Sequence, residues 1–323
     1  MKLRATAHPV QGMICAHGYQ NERLRTLPVE AVFCAVGALE LTVTASFDDA
    51  GPTSLPPLPD EERLRLATYL RELRLMGLRT PSRISIEHNL VPAIGLGSSA
   101  ALYAAIAASV WYASGRSADD TAGLSASARL GSYSAGSAVL GGVSRIRTGT
   151  SHQEAYGDLL LTKDEIPLAM IVLRGNDVDR AKRTSSELHH DIVLSPYYER
   201  WSEIASKASS DLVALLRRRD FDNLRSILEP YMFANAAALA TGPNLKMTWS
   251  PSTSDLVHLL RELRAAGEID CAIAMNSGPA VFAYVQPDQA SAIAHIIAAE
   301  RPQYPDPIVS AVGGPPELAV TEP

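Results

Sequence analysis

The chain has 323 residues, 46% hydrophobic and 20% charged, with a formal net charge of −6. That length supplies one large or two ordinary domains with real cores, and the acidic balance argues against a general nucleic-acid or acidic-membrane surface. Cys15, Cys34 and Cys271 are odd in number and lack metal-ligand spacing, which predicts a reducing, cytoplasmic setting, no disulfide framework and no protein-held metal. Met1 to His8 has no apolar signal-peptide core, and the apolar run Ala100 to Tyr112 is too short to span a membrane.

In chain order, Leu3 to Ala7 alternates and predicts a first strand. It leads into Ala7-His8-Pro9-Val10-Gln11-Gly12-Met13-Ile14-Cys15-Ala16-His17-Gly18, a motif-like stretch. Val29 to Ala38 and Leu41 to Phe47 read as further strands, and Gly51 to Pro59 as a proline-rich loop. Asp60 to Met76 sets Leu64, Ala67, Leu70, Leu73 and Leu75 at near-helical spacing, with Asp60 placed to cap.

Arg83 to Glu87 alternates again and runs into His88-Asn89-Leu90-Val91-Pro92-Ala93-Ile94-Gly95-Leu96-Gly97-Ser98-Ser99-Ala100-Ala101. Pro92 stops a strand ladder, Gly95 and Gly97 permit a tight turn, and Ser98 or Ser99 is placed to cap a small-residue helix. A strand, a glycine-serine loop and a helix make an anion cradle, because free N–H groups and the positive helix end face one point. No GxxxxGK[ST] segment is present, so this is not a Walker loop.

Ser117 to Leu130 reads as a helix, followed by a second run of small residues, Ala128 to Gly142, that suits close approach to a ligand. Asp158 to Leu161 and Pro167 to Leu173 read as strands. Ser202 to Arg219 and Asp220 to Ala240 read as helices, the second bent or broken at Pro230, and Ser254 to Ala266 is amphipathic. Cys271 to Val285 reads as strand, glycine turn, strand; Ala290 to Ala299 as a helix; Ile308 to Gly314 as a closing strand and turn.

Pro92-x-x-Gly95-Leu96-Gly97-Ser98-Ser99-Ala100-Ala101 resembles the phosphate-binding motif of the GHMP superfamily. Ala7-His8-Pro9-x-Gln11-Gly12 with His17-Gly18 resembles the phosphomevalonate decarboxylases of archaea and some bacteria. Ala128-Arg129-x-Gly131-Ser132-x-Ser134-Ala135, Lys182 to Tyr198 and Cys271 to Val285 extend the likeness to the decarboxylase branch over nearly the whole chain. The resemblance implies an α+β GHMP-kinase fold: residues 1–165 as a half like the second domain of ribosomal protein S5, residues 166–323 as a ferredoxin-like half, and the active site between them. Homodimers are common in such a group. Mg·ATP is then expected on Pro92, Gly95, Leu96, Gly97, Ser98, Ser99 and Ala100. A small-molecule acceptor is expected among Cys15, His17, Ser132, Ser134, Ser137, Thr184, Ser185 and Asn276, with Asn276, Ser99 and His17 as catalytic candidates.

Three positions depart from the resembled pattern. Asn276 stands where an aspartate is expected and cannot take a proton. Ser137 replaces an arginine that would grip a carboxylate. Cys15, followed by Ala16, replaces a lysine that would balance phosphoryl charge. Arg129, Arg145, Arg147, Lys182, Arg183, Asp177 and Asp179 are nearby charges that read as solvated surface groups. His189-His190 lacks zinc spacing, and Cys15 has no basic neighbour to make it a nucleophile. The expected activity is phosphoryl transfer from ATP to a hydroxyl. The alternatives are a decarboxylase with relocated catalytic groups and a non-catalytic binding homologue.

Overall fold

The computed structural model describes residues 1–48, 53–90, 97–176, 185–244, 247–275 and 278–322. The N-terminal alternation becomes β1 (Lys2–Ala7), with Leu3, Ala5 and Ala7 fully buried. It is followed by β2 (Val10–Ile14), β3 (Ala31–Ala35) and β4 (Leu41–Ser46). Then come α1 (Asp60–Leu75), β5 (Arg83–His88), α2 (Ser98–Ala113), α3 (Thr121–Arg129) and the single turn α4 (Ala135–Ala138). The middle of the chain contributes β6 (Val143–Ile146), β7 (Gly157–Leu161), β8 (Ala169–Leu173), α5 (Ser185–Ile192), α6 (Tyr198–Arg218) and α7 (Leu224–Ala240). The last part adds α8 (Pro251–Ala265), β9 (Ala272–Met275), β10 (Val281–Val285), α9 (Ala290–Glu300), β11 (Ile308–Ser310) and β12 (Glu317–Glu322).

Among the described residues the strands form three four-stranded sheets, ordered β12-β1-β4-β5, β2-β3-β6-β7 and β11-β8-β10-β9. Every pairing between neighbouring strands of these sheets is antiparallel. One apolar core joins Leu3 and Ile14 to Trp201, Leu212 and Phe282. A second fills the space between β8–β10 and helices α8 and α9. Two tyrosines tie distant segments across the first core: Tyr284 donates to the buried Gln11 side chain, and Tyr231 bonds the Cys15 backbone. The three cysteines are free and buried. No described helix is long and apolar enough to cross a membrane.

Several expectations are corrected. Pro59, not Asp60, occupies the cap of α1; Asp60, Glu61 and Glu62 instead lie in the first turn, where the helix dipole favours carboxylates. Neither Ser98 nor Ser99 caps α2, because Gly97 turns the chain directly with φ +65° and its carbonyl accepts the Ala100 N–H at 2.8 Å. The helix expected from Ser117 starts at Thr121 behind an Asp120 cap. The α7 helix runs unbroken through Pro230, losing one N–H rather than the helix. The strand expected at Ile308 to Gly314 is the short β11 of the third sheet, and β12, which the sequence did not announce, pairs with β1.

Candidate active site

The loop residues Pro92, Gly95 and Leu96 lie outside the described residues, as do Thr184 and Asn276. The described part of the cradle begins at Gly97. A Cβ there would stand 3.1 Å from the Val10 carbonyl oxygen, so glycine lets the start of α2 lie against β2. The Ser98 and Ser99 N–H groups at its start have no acceptor inside the helix and carry its positive end. Behind them Ala100, Ala101, Ala104 and Ala105 are fully buried, and these small side chains let the helix pack closely.

The Ser99 hydroxyl lies 3.3 Å from that of Ser132, which lies 3.4 Å from that of Ser134. The two glycine-serine stretches, far apart in sequence, thus meet through a row of three hydroxyls. Gly131 is required beside them, because a Cβ would collide with the Tyr103 side chain of α2. Ser137 is buried, and its hydroxyl shares a 2.5 Å hydrogen bond with Ser144 of β6.

The first motif is held from the opposite side by α5, α6 and α7. The Tyr231 hydroxyl accepts from the Cys15 N–H at 2.9 Å and donates to the Cys15 carbonyl at 2.7 Å. Burial pushes the Cys15 thiol up to about 12, so it stays protonated. His17 is buried between the rings of His189 and Trp201, with centroids 5.5 and 5.6 Å away. Burial lowers its pKa to about 4, and among the described residues neither ring nitrogen has a hydrogen-bond partner. Gly18, at φ +80°, donates its N–H to His189 Nδ1 at 3.1 Å, and the His189 ring lies 4.0 Å from that of Tyr19. Ser185 is the first residue of α5, the helix that carries His189.

Residues 7–157 match a diphosphomevalonate decarboxylase-like N-terminal domain. A curated phosphomevalonate decarboxylase of Haloferax volcanii is 25% identical over 289 residues, 87% of each chain. The mevalonate diphosphate decarboxylase of Enterococcus faecalis superposes with a TM-score of 0.87 at 23% identity, covering 99% of both chains. A structure of MDDEF in complex with MVAPP, AMPPCP and magnesium gives a TM-score of 0.86 at 22% identity, again over 99% of both. In these comparisons the chain is similar to the mevalonate-phosphate decarboxylase branch of the GHMP superfamily. Its fold is the GHMP fold.

Several charges around this candidate site are not where surface reasoning puts them. Arg129 is fully buried rather than solvated. Its Nε donates to the Ala155 carbonyl at 2.7 Å and its Nη2 to that of His152 at 3.3 Å, and burial lowers its pKa to about 10. Arg145 is mostly buried too, bridging Asp158 at 3.0 Å and Glu30 at 3.2 Å, while Arg147 pairs with Asp158 at 3.0 Å. Lys182, Arg183, Asp177 and Asp179 lie outside the described residues. Sequence reasoning missed Arg25 and Arg65, which reach the second glycine-serine stretch: Arg25 Nε donates to the Leu130 carbonyl at 2.9 Å and Arg65 Nη2 to that of Gly131 at 3.5 Å. It also missed His189 as a support of the first motif. No spacing signals either. No group of three or more potential metal ligands exists among the described residues.

Proposed function

We propose that this chain is an ATP-dependent enzyme that transfers the γ-phosphoryl group of ATP to a hydroxyl of a small, hydroxy-acid-like molecule. The observation that carries the reading is the hydroxyl row Ser99–Ser132–Ser134 set against the bare N-terminal turn of α2. N–H donors with the positive end of a helix suit the phosphates of a nucleotide, and hydroxyls at their edge suit an acceptor alcohol. The Ser98 and Ser99 N–H groups and the Ser99 hydroxyl would hold the nucleotide. Magnesium would be held largely by the phosphates, because no acidic cluster of the described residues offers a cage. When bound, that ion neutralises charge on the transferring group.

What supports a kinase over a decarboxylase is the position where the resembled family carries a carboxylate-gripping arginine: Ser137 is committed to Ser144 inside the fold. Cys15 holds a neutral thiol, so neither reaction has a lysine's charge there. Positioning and backbone electrostatics then carry the reaction, with no strong base required of Asn276. The decarboxylase reading keeps the support of the Haloferax volcanii relative.

Mass spectrometry of the protein incubated with Mg·ATP and mevalonate, its 5-phosphate or its 5-diphosphate tests the proposal. A product heavier by one phosphoryl group is expected. A product that has lost carbon dioxide selects the decarboxylase, and nucleotide binding without turnover across a wider hydroxy-acid panel selects a binding protein.

A further inference from the structure

Two guanidinium groups converge on consecutive carbonyls beside the hydroxyl row. Arg25, from the loop after the first motif, reaches Leu130, and Arg65, from α1, reaches Gly131. Arg25 also donates to the Tyr19 hydroxyl at 3.2 Å, and Arg65 lies over the Tyr103 ring at 5.9 Å. Both cations act on both phenols, which confirms that they share one locality. Two carboxylates also act there. Glu22 pairs with His190 at 3.4 Å, and Glu62 forms no ion pair with either arginine.

Among the described residues neither guanidinium is paired directly with a carboxylate, so an entering anion gains charge-assisted hydrogen bonds that no acidic side chain already takes. Each guanidinium has five N–H donors. Arg25 uses two on the groups named and Arg65 one, and the buried Arg65 Nε has no partner among the described residues. Capping the end of α3 needs one donor per carbonyl, so donors are left over. Guanidinium forks are matched to phosphoryl oxygens.

We infer that Arg25 and Arg65 form a two-guanidinium receptor for a phosphoryl group at the Leu130–Gly131 turn, next to Ser132. Its ligand class rests on the phosphoryl-transfer reading above. The group belongs either to the nucleotide or to the acceptor, and the two sources separate experimentally.

The test follows inorganic phosphate binding to the full chain by phosphorus NMR, and Mg·ATP binding separately, in the parent protein and in R25Q, R65Q, R25K and R147Q. Glutamine keeps a donor for each carbonyl and removes the charge. R25Q and R65Q are each expected to weaken phosphate binding by about tenfold or more, with R25K falling between R25Q and the parent because it keeps the charge and loses the fork, R147Q close to the parent, and thermal unfolding recorded for every variant. If Mg·ATP affinity falls in parallel, the receptor holds a nucleotide phosphoryl group; if it does not, the group is the acceptor's. Parent protein that binds no phosphate, R25Q and R65Q that bind it like the parent, or R147Q that loses as much overturns the inference and leaves helix capping as the role of both arginines. Failure of the enzymatic reading is separate: it shows as absent Mg·ATP binding or turnover, whatever the phosphate result.

Discussion

The Tyr231 hydroxyl clasps the Cys15 peptide from both ends, taking its N–H at 2.9 Å and giving a proton to its carbonyl at 2.7 Å. One side chain of α7 thus completes, for the first motif, the pairing that a neighbouring strand would have supplied. Both backbone groups are buried, so neither has water as an alternative.

Tyr231→Phe is expected to remove both hydrogen bonds at nearly constant volume and to cost about 2–4 kcal/mol of stability. Urea denaturation measures it. A loss under about 0.5 kcal/mol would mean that the loop relaxes to solvent and that the clasp is incidental.

Returning an arginine to position 137 is not expected to restore carboxylate binding by itself. The site is buried against Ser144, so Ser137→Arg strands a charge and is expected to destabilise by about 3 kcal/mol or more. Ser137→Ala, which only breaks the hydroxyl pair, should cost about 1 kcal/mol. Equal stability of Ser137→Arg and parent protein would show that the position opens to solvent.

His17 links stability to pH. Its pKa falls from 6.5 to about 4 on folding, so between those values the unfolded chain binds more protons than the folded one. Stability is therefore complete above pH 6.5 and drains as the pH falls toward 4. His189 is also held low by burial and by the charges of His17 and Arg25, and adds to the same slope. Replacing His17 with Asn should shrink the loss across that window by on the order of 3 kcal/mol. Denaturant titrations at a series of pH values read the slope directly, and an unchanged slope in the variant refutes the assignment.

The three thiols should be silent toward an aromatic disulfide reagent in the native protein at pH 8. Burial holds Cys15 and Cys34 near 12 and Cys271 near 11, and only the thiolate attacks. All three should react once denaturant is added. Rapid reaction of any one in the native state would show that its segment opens readily.

The alternation of Leu3, Ala5 and Ala7 and of Leu41, Val43 and Ala45 was legible because one face of each strand is buried and the period is visible. In β2 all five residues are buried, so no period exists, and the segment reads as a motif rather than a strand. The start of α2 was legible as a turn, but a positive φ at Gly97 leaves the neighbouring serines free of the capping role that composition suggests. The hydroxyl row was half legible: each serine stands in a recognisable stretch, while their meeting depends on tertiary packing. Arg129 misleads because a charge among small residues reads as surface, and only folding brings the carbonyls of His152 and Ala155 onto it. Arg25 and His189 act on partners 105 and 171 residues away, a relation that no local pattern encodes.

The pairing of β12 with β1 joins Leu3 to Val320 across almost the whole chain. In this sheet β1 must wait for a neighbour that lies hundreds of residues further along the chain. Until then one edge of β1 offers its backbone to any passing strand, which is the condition under which nascent chains cross-pair. The closing strand therefore acts as a topological latch: the long loop it closes slows the last step of assembly, and its arrival removes the edge through which newly made molecules could stick to one another.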